Sequence, residues 1–366
     1  MKSNYEPLGK HIQLVDYRNS EEVTSTVLGI SIDKEFMPSV ANVIGTDLSR
    51  YKLIIKGLFA CNPMHVGRDE RLPIALYEKD SPAIVSPAYF MFEIIDRDVL
   101  NEEYLMMWFR RPEFDRECWF MTDGSVRGGI TWDDLCRIKL PVPSYARQCE
   151  IVESYRAITD RIALKRTEND NLDATIYAKF QDMFQKNKEI LFSGEQLEDW
   201  CIKPLSFLAD FKYGKMATSE ILCEKGFPVY SGYRIVGYCN KYMFKEPQLV
   251  VLARGVSGTG EVRISPPCCH LTNLSIAVLL YDRTYINYLL YYLENDNLIS
   301  LDSGSAQSQI TINNLSMHKV MLPPYSKVVE FDNIAKQLRS IIDENNKEIE
   351  VLEELKKVLL TTISSR

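Results

Sequence analysis

An internal repeat constrains the fold of this chain more than any other feature of its sequence. Residues 124–139 align without a gap on residues 304–319, so the two copies lie 304 − 124 = 180 positions apart. A pair of prolines follows each copy: Pro141 and Pro143, and Pro323 and Pro324. A repeat at this spacing predicts a chain built as two similar halves.

A long stretch without glycine or proline follows each proline pair, from residue 144 to 184 and from 326 to 363. Prolines just before such a stretch are typical of a helix start. Mostly apolar residues recur there in steps of four and three, which is typical of coiled-coil helices. The alternative is that each helix packs only on its own domain, but the matching frames of the two copies favour pairing. The residues expected to pair are Ile158, Ile162, Leu172, Ile176, Leu338, Ile342, Ile349, Leu352 and Leu359.

Mixed segments precede both proline pairs. Apolar runs at 52–59, 83–92, 248–253 and 274–280 predict strands, and the patterns at 102–109 and 285–293 predict short helices. We therefore predict an α/β (α+β) fold with an internal twofold repeat, in which two globular domains are separated by two long antiparallel coiled-coil helices. The antiparallel direction follows from chain order, because the second helix can pair with the first only by running back. The predicted boundaries are 1–143 and 187–325 for the domains, and 144–186 and 326–366 for the helices.

Composition restricts the class of protein. With 46% hydrophobic and 25% charged residues, a chain of 366 residues is expected to hold about two globular cores. Its nine scattered cysteines favour a reduced cytoplasm, and the apolar runs are too short to cross a membrane. A net charge of −7 argues against a general polycationic DNA binder, so any DNA contact is expected to be local or shared with partners.

No catalytic motif accompanies the repeat. The run Leu322–Tyr325 lacks the amide or carboxylate of an amino-methyltransferase loop, and the glycine-rich run 255–260 ends without the lysine of a phosphate loop. The four histidines show no metal-ligand spacing. We therefore predict no catalytic residue, cofactor site or metal site, and expect a protein that is not an enzyme on its own.

Four segments together resemble the specificity subunit of Type I restriction-modification systems, and the resemblance covers essentially the whole chain. They are residues 83–92, the block 124–139 with its proline pair, residues 230–244 and residues 271–277. The resemblance implies two target recognition domains that each read one half of a bipartite DNA sequence, with helices that set the spacing. It also implies methyltransferase (modification) subunits and a restriction and translocase subunit as partners. S-adenosylmethionine, ATP and Mg are then expected on those partners, with no membrane partner and none of these cofactors on this chain.

Sequence-specific readout requires side chains that reach base edges, supported by contacts to phosphates. In the second domain, basic residues alternate with tyrosines between 203 and 263, and the small residues of the loop 255–260 would let the backbone approach DNA. A hairpin with a surface arginine is an equal alternative for this loop. The residues expected to contact DNA there are Lys215, Arg234, Arg254, Ser257, Thr259 and Arg263. The corresponding segment of the first domain, 61–71, offers Asn62, Arg68 and Arg71, which are also ordinary turn residues.

The sequence thus favours a sequence-specific DNA recognition subunit that reads an asymmetric target, because the two loops differ in chemistry. A coiled-coil assembly scaffold that binds proteins instead of DNA is the main alternative, and the negative net charge favours it. An uncharacterised transferase is a weaker alternative, since no cofactor pocket is evident in the sequence.

Overall fold

A computed structural model of the chain describes residues 5–40, 45–122, 128–232, 234–255, 258–301 and 309–363, apart from the side chain of His65. It forms two compact units: Met1–Leu164 with Lys347–Arg366, here the first unit, and Lys165–Asn346, here the second unit. The boundary between the two units falls near the middle of each long helix. The predicted boundaries at residues 143, 186 and 325 concern domains, which divide the chain differently from these compact units. They stay a prediction.

The described residues of the first unit form ten short strands and four short α-helices, and the unit shares two long helices with the second unit. Its strands are β1 Tyr5–Pro7, β2 Ile12–Leu14, β3 Val27–Ile30, β4 Phe36–Pro38, β5 Lys52–Ile54, β6 Phe59–Cys61, β7 Ile74–Leu76, β8 Ala83–Val85, β9 Phe90–Ile94 and β10 Lys139–Pro141. Its short helices are α1 Val66–Asp69, α2 Glu102–Phe109, α3 Pro112–Phe120 and α4 Trp132–Arg137. The long helices are α5 Tyr145–Phe180 and α9 Tyr325–Thr362.

The second unit has a similar, though not identical, order of elements. A π-helical turn at Gln181–Gln185 continues α5 into α6 Lys186–Phe192. The strands that follow are β11 Cys201–Pro204, β12 Ala209–Tyr213, β13 Leu222–Cys223, β14 Phe227–Ser231, β15 Arg234–Cys239, β16 Leu249–Leu252, β17 Val262–Ile264, β18 His270–Leu271, β19 Ser275–Leu280 and β20 Lys319–Leu322. Two short helices complete the unit, α7 Tyr285–Glu294 and α8 Ile312–Met317.

One sheet corresponds strand by strand between the two units, and the other corresponds in three of its four strands, β4-β3-β8 with β15-β14-β18. One four-stranded sheet has the order β2-β9-β6-β7 in the first unit and β12-β19-β16-β17 in the second. The other has the order β4-β3-β8-β5 in the first and β13-β15-β14-β18 in the second, and each of these contains one parallel pair. A two-stranded antiparallel pair closes each domain, β1 with β10 and β11 with β20. The predicted mixed fold with an internal repeat is therefore confirmed.

The repeated sequence block forms the same local structure twice. The helices α4 and α8 begin 180 residues apart, and a threonine caps each of them. The Thr131 hydroxyl oxygen accepts a hydrogen bond from the Asp134 amide at 3.1 Å, and the Thr311 hydroxyl oxygen accepts one from the Asn314 amide at 3.2 Å. Such caps satisfy amides that have no partner inside the helix. The positions 123–127 and 302–308 lie outside the described residues.

One buried tyrosine per unit links a short helix to the closing strand pair. The Tyr104 hydroxyl donates to the Pro141 carbonyl oxygen at 3.0 Å, and the Tyr288 hydroxyl donates to the Met321 carbonyl oxygen at 2.8 Å. The two acceptors lie 180 positions apart. Both tyrosine rings are fully buried in the apolar core of their unit, so each hydrogen bond is shielded from water.

The long helices pair antiparallel within each unit. In the first unit Val152 and Leu360 share one core, and Arg161 Nε lies 2.6 Å from Glu348 Oε1. The residue numbers thus rise along α5 while they fall along α9. In the second unit Lys165 Nζ donates to Asn345 Oδ1 at 2.7 Å, and the rings of Phe180 and Phe331 are 5.8 Å apart. No helix in the described part of the chain is both long and apolar enough to span a bilayer.

Two apolar runs expected to form single strands each form two. The run 52–59 is interrupted at Gly57, which has a φ of +85° and therefore turns the chain between β5 and β6. The run 83–92 is interrupted before β9, where Tyr89 N donates to Ser86 O at 3.1 Å across a tight turn. Both predictions of one strand were wrong, because a turn within an apolar run does not alter its hydropathy.

The caps allow a direct stability test. We expect Thr131→Ala and Thr311→Ala each to lower the free energy of unfolding by about 1 kcal/mol, since each leaves a helix amide unsatisfied. Urea unfolding followed by circular dichroism measures the change. Thr131→Ser and Thr311→Ser keep the acceptor oxygen and should retain most of the stability. A serine variant as unstable as its alanine counterpart would contradict the capping role.

A polar layer in the helix pair of the second unit provides another test. Asn345 Nδ2 donates to Asn169 Oδ1 at 2.8 Å, and Asn169 Nδ2 donates to Asn346 Oδ1 at 3.0 Å, with Asn169 and Asn345 both buried. Asn169→Ala should cost about 1 to 3 kcal/mol because it leaves buried polar groups unsatisfied. The double change Asn169→Leu with Asn345→Leu should recover most of this loss. A double variant less stable than Asn169→Ala would contradict this account.

Candidate nucleic-acid interface

Three strand ends meet at one edge of the sheet β12-β19-β16-β17 in the second unit. In the antiparallel register Tyr213 of β12 lies opposite Ile276 of β19, and Leu252 of β16 lies opposite Ser275 of β19. The chain therefore leaves β12 and β16 at the edge where it enters β19. The segments next to these ends, together with the turn between β14 and β15 that packs on them, form what we call the loop edge. Its described residues are 214–216, 231–232, 234, 253–255, 258–260 and 271–274.

Backbone hydrogen bonds hold the loop edge together. The amides of Lys215 and Arg254 donate to the carbonyl oxygens of Leu271 and Leu274, at 2.8 and 3.2 Å. The Thr272 hydroxyl donates to the Ser231 hydroxyl oxygen at 3.2 Å. Because these bonds fix the backbone, the attached side chains project from a defined frame.

Glycine is required where the loops approach each other most closely. A Cβ at Gly214 would lie 2.0 Å from the Thr272 carbonyl oxygen, and one at Gly232 would lie 2.4 Å from Leu252 Cδ1. Gly232 also has a φ of +67°, which other residues rarely adopt. The tight turn between β14 and β15 thus packs directly on the end of β16.

Three of the predicted DNA-contacting residues come together at this edge. Lys215, Arg234 and Arg254 are all exposed, and each lies on one of the converging segments. Arg254 also forms an isolated antiparallel β-bridge with Gln309, which lies within the repeated block. An arginine held on a fixed backbone can donate two hydrogen bonds to a guanine edge or bind a phosphate.

The other predicted residues of the second domain are placed differently. Arg263 lies on β17 and donates to Glu294 Oε1 at 3.0 Å and to Glu261 Oε2 at 3.2 Å, so the structure does not bring it to the loop edge. The Thr259 side chain is buried, and its hydroxyl donates to the Gly255 carbonyl oxygen at 3.5 Å. Ser257 lies outside the described residues.

The first unit has an equivalent edge after β6. Ile130 N donates to the Pro63 carbonyl oxygen at 3.1 Å, and Ile310 N, 180 positions later, donates to the Ala253 carbonyl oxygen at 2.9 Å. Pro63 therefore corresponds to Ala253, and the exposed Met64 corresponds to Arg254. In both units the repeated block lies against the loop that leaves the central strand, a role that its sequence did not suggest.

Asn62 forms the start of this first loop. It is 9% exposed and caps the 3-10 helix Pro63–His65, where its Oδ1 accepts from the Met64 amide at 3.2 Å. Its Nδ2 lies 3.5 Å from the Tyr89 hydroxyl. Asn62 is a predicted DNA contact, yet both polar atoms of its side chain already have hydrogen-bond partners within the protein.

Arg68 and Arg71 are exposed but belong to ion pairs. Arg68 Nε donates to Asp69 Oδ1 at 2.7 Å, and Arg71 lies 3.3 Å from Asp33 Oδ1. The amide of Gly67 donates to the Gly128 carbonyl oxygen at 2.9 Å, which places the helix α1 beside the repeated block. These exposed pairs are weak, so the arginines can exchange an aspartate for a phosphate at little cost.

Exposed apolar residues beside the loop edge were missed by sequence reasoning. The strand β15 exposes the adjacent residues Ile235 and Val236, at 49% and 51%, together with Tyr238. Since adjacent strand residues face opposite sides, both faces of this hairpin are open to solvent. The signal was present in the tyrosine-rich run 230–244, but sequence alone does not show which strand faces are covered.

Burial shifts the pKa values of two groups near these edges. Burial raises the pKa of the Tyr230 hydroxyl, which therefore stays neutral near pH 7. In the first unit burial lowers the pKa of Lys52, partly offset by the neighbouring Asp16. In the described part of the chain, no cluster of three or more His, Cys, Asp or Glu side chains could hold a metal ion.

The predicted helix-pairing residues all lie on partly or fully buried faces. Ile162 and Ile176 are buried, and the others are partly buried: Ile158, Leu172, Leu338, Ile342, Ile349, Leu352 and Leu359. Ile176, Leu338 and Ile342 contact one apolar core in the second unit, and Leu359 contacts the core of the first. Beyond Ile176 the buried positions are Phe180 and Phe184, so the apolar stripe advances by four residues there.

Duplicated α/β domains with exposed basic loop edges, combined with paired long helices, define a class of two-domain recognition scaffold. Residues 197–356 match the family Type I restriction modification DNA specificity domain. A Type I restriction enzyme MjaIX specificity subunit of Methanocaldococcus jannaschii is 21% identical over 299 residues, which is 73% of this chain and 69% of that protein. The chain is therefore similar, over most of its length, to the specificity subunits of Type I restriction-modification systems.

Solved structures share the fold. The S subunit of a Type I restriction-modification system from M. genitalium has a TM-score of 0.64 at 16% identity, covering 99% of this chain and 96% of that one. A chain from a structure concerned with complex assembly and conformational transition of the type I R-M system has a TM-score of 0.50 at 18% identity. That likeness covers 98% of this chain and 96% of the other.

The cap role of Asn62 is open to test. Asn62→Ala should lower the free energy of unfolding by about 1 kcal/mol, because the Met64 amide loses its acceptor. Asn62→Asp keeps a cap oxygen and should remain close to the original stability in the same urea titration. If Asn62→Asp is as destabilised as Asn62→Ala, the cap is not what this side chain contributes. Lost DNA binding by a stable Asn62→Asp variant would show that the amide also contacts DNA.

Proposed function

We propose that this chain reads a bipartite, asymmetric DNA sequence with its two α/β domains and directs partner methyltransferase and restriction subunits to it. The observation that carries the proposal is that each unit presents the same edge of the same sheet. In the second unit three basic side chains, Lys215, Arg234 and Arg254, project from this edge. A pair of similar edges with solvent-facing side chains suits a target with two half-sites.

The asymmetry of the target follows from equivalent positions. Where the second unit carries Arg254, the first carries Met64, which is 58% exposed. A guanidinium can donate two hydrogen bonds to a guanine, whereas a thioether offers mainly an apolar contact, for example to a thymine methyl group. The two domains should therefore prefer different bases.

Partners should supply both the chemistry and most of the phosphate contacts. The net charge of −7 would repel DNA at long range, and the basic groups of the loop edge are few. In the proposed complex S-adenosylmethionine, ATP and Mg bind to the partner subunits, and this chain contributes sequence recognition in the cytoplasm.

Copurification followed by selection of bound sequences from a random duplex pool tests the proposal. We expect methyltransferase and restriction subunits to copurify, and the complex to enrich two different half-sites at a fixed spacing. Copurification without any sequence enrichment would favour the alternative of a protein-binding assembly scaffold. Enrichment of a single half-site would contradict recognition by both domains.

Arg254 gives a local test of readout. Arg254→Ala should weaken binding of the selected sequence by about 1 to 3 kcal/mol and relax the preference in one half-site only. Arg254→Lys keeps the charge but not the forked donor, so it should recover affinity more than base preference. Competition binding against single-base variants of the selected site measures both effects. An Arg254→Ala variant with unchanged affinity and preference would remove this residue from the interface, whereas Arg263→Ala is the control expected to leave preference intact.

A further inference from the structure

The first unit contains an apolar cleft that the proposed DNA recognition does not use. It has a volume of about 190 Å³ and is lined mainly by Tyr104, Pro143, Ile151, Leu359, Thr362 and Ile363. Ile151 and Leu359 also pack against the unit's main core, so the cleft continues from that core to the surface. An apolar cavity of about 150 Å³ is large enough to take a benzene ring.

The equivalent place in the second unit is filled by Phe184. Its ring lies 4.9 Å from the Tyr288 ring and 5.5 Å from the Phe331 ring, and 1% of the residue is exposed. Trp200 covers Phe184 with its ring 6.3 Å away. An aromatic side chain therefore completes the core of this unit at the point where α5 continues into α6.

The repeat establishes that the two places correspond. Ile151 precedes Phe331 by 180 positions. Tyr104 corresponds to Tyr288, because their hydroxyls donate to the carbonyl oxygens of Pro141 and Met321, which are 180 positions apart. The same two walls thus flank a phenylalanine ring in the second unit and an open cleft in the first.

Sequence explains the difference. The residue 180 positions after Phe184 is Ser364, which lies outside the described residues. A serine side chain cannot supply the apolar area of a phenylalanine ring, which buries about 150 to 250 Å² in a core. The walls of the aromatic site are repeated in the first unit, but its aromatic occupant is not.

We propose that this cleft is a docking site for an aromatic side chain carried on a helical segment of a partner polypeptide. The partner segment would present its aromatic ring between Tyr104 and Ile151, as Phe184 is presented between Tyr288 and Phe331. Helix-in-groove recognition of this kind rests on one or a few apolar anchors. At the rim, the half-exposed Arg147 pairs with Glu150 at 2.6 Å and leaves the mouth of the cleft polar.

The chain itself supplies the probe. A fluorescein-labelled peptide of residues 181–191, in which Phe184 is the single aromatic residue, is titrated into the full-length chain and followed by fluorescence anisotropy. We expect it to bind at least tenfold more tightly than the same peptide with Phe184→Ala. Equal binding of the two peptides, or no binding of either, would overturn the proposal.

Two variants of the full-length chain locate the binding site. Thr362→Trp places a large side chain in the mouth of the cleft and should weaken peptide binding at least tenfold. Thr361→Trp, on the adjacent exposed position that does not line the cleft, should leave binding unchanged. Thermal unfolding of both variants checks the fold, and Thr362→Glu replaces Thr362→Trp if the latter unfolds early. Equal effects of the two tryptophan variants would place the peptide elsewhere.

Free toluene distinguishes a polypeptide site from a small-molecule site. If the aromatic peptide binds and toluene competes with it only weakly, the partner is a polypeptide segment as proposed. If toluene raises the melting temperature of the chain while the peptide does not bind, the cleft takes small aromatic molecules and the proposal is wrong.

Discussion

The antiparallel pairing between the first and last strands of each α/β domain is the constraint on which the rest of the structure depends. β1 pairs with β10, and β11 pairs with β20, so the two ends of each domain lie side by side. Each long helix starts within a few residues of such a closing strand. A buried tyrosine hydroxyl bound to the closing strand then ties that strand to the core. The point at which each long helix leaves its domain follows from this closure, because the helix begins directly after the closing strand.

The same architecture tolerates different chemistry at equivalent positions. Backbone hydrogen bonds from Ile130 and Ile310 hold the loop after the central strand in each unit, whatever side chains that loop carries. Met64 and Arg254 can therefore differ without altering the frame. The aromatic site behaves in the same way, since its walls are repeated while Phe184 has a serine at the matching position. Recognition and docking can thus vary on a conserved backbone plan within one chain.

Sequence predicted the helices better than the strands and the site. The helix expected at 102–109 is Glu102–Phe109, and the one expected at 285–293 is Tyr285–Glu294, because caps and periodicity are local signals. The apolar runs at 52–59 and 83–92 each conceal a turn that hydropathy does not report. For the site, residue type identified candidates but not their partners. Asn62 caps a 3-10 helix, which depends on the local backbone geometry. Arg263 pairs with two glutamates, one of which is distant along the chain.

The sequence by itself determined the duplication, the positions of the long helices and the family resemblance, because a repeat at a fixed offset and a glycine-free stretch can be read along one chain. Tertiary structure alone decided which exposed side chains of each unit lie close together. Lys215 and Arg254 lie close because β12 and β16 end at one edge of their sheet, and Arg234 joins them because the turn between β14 and β15 packs on that edge. The cleft beside Tyr104 is open because no described side chain occupies the place of Phe184. Such outcomes depend on contacts between residues far apart in sequence, where volume and hydrogen-bond partners rather than periodicity determine the result.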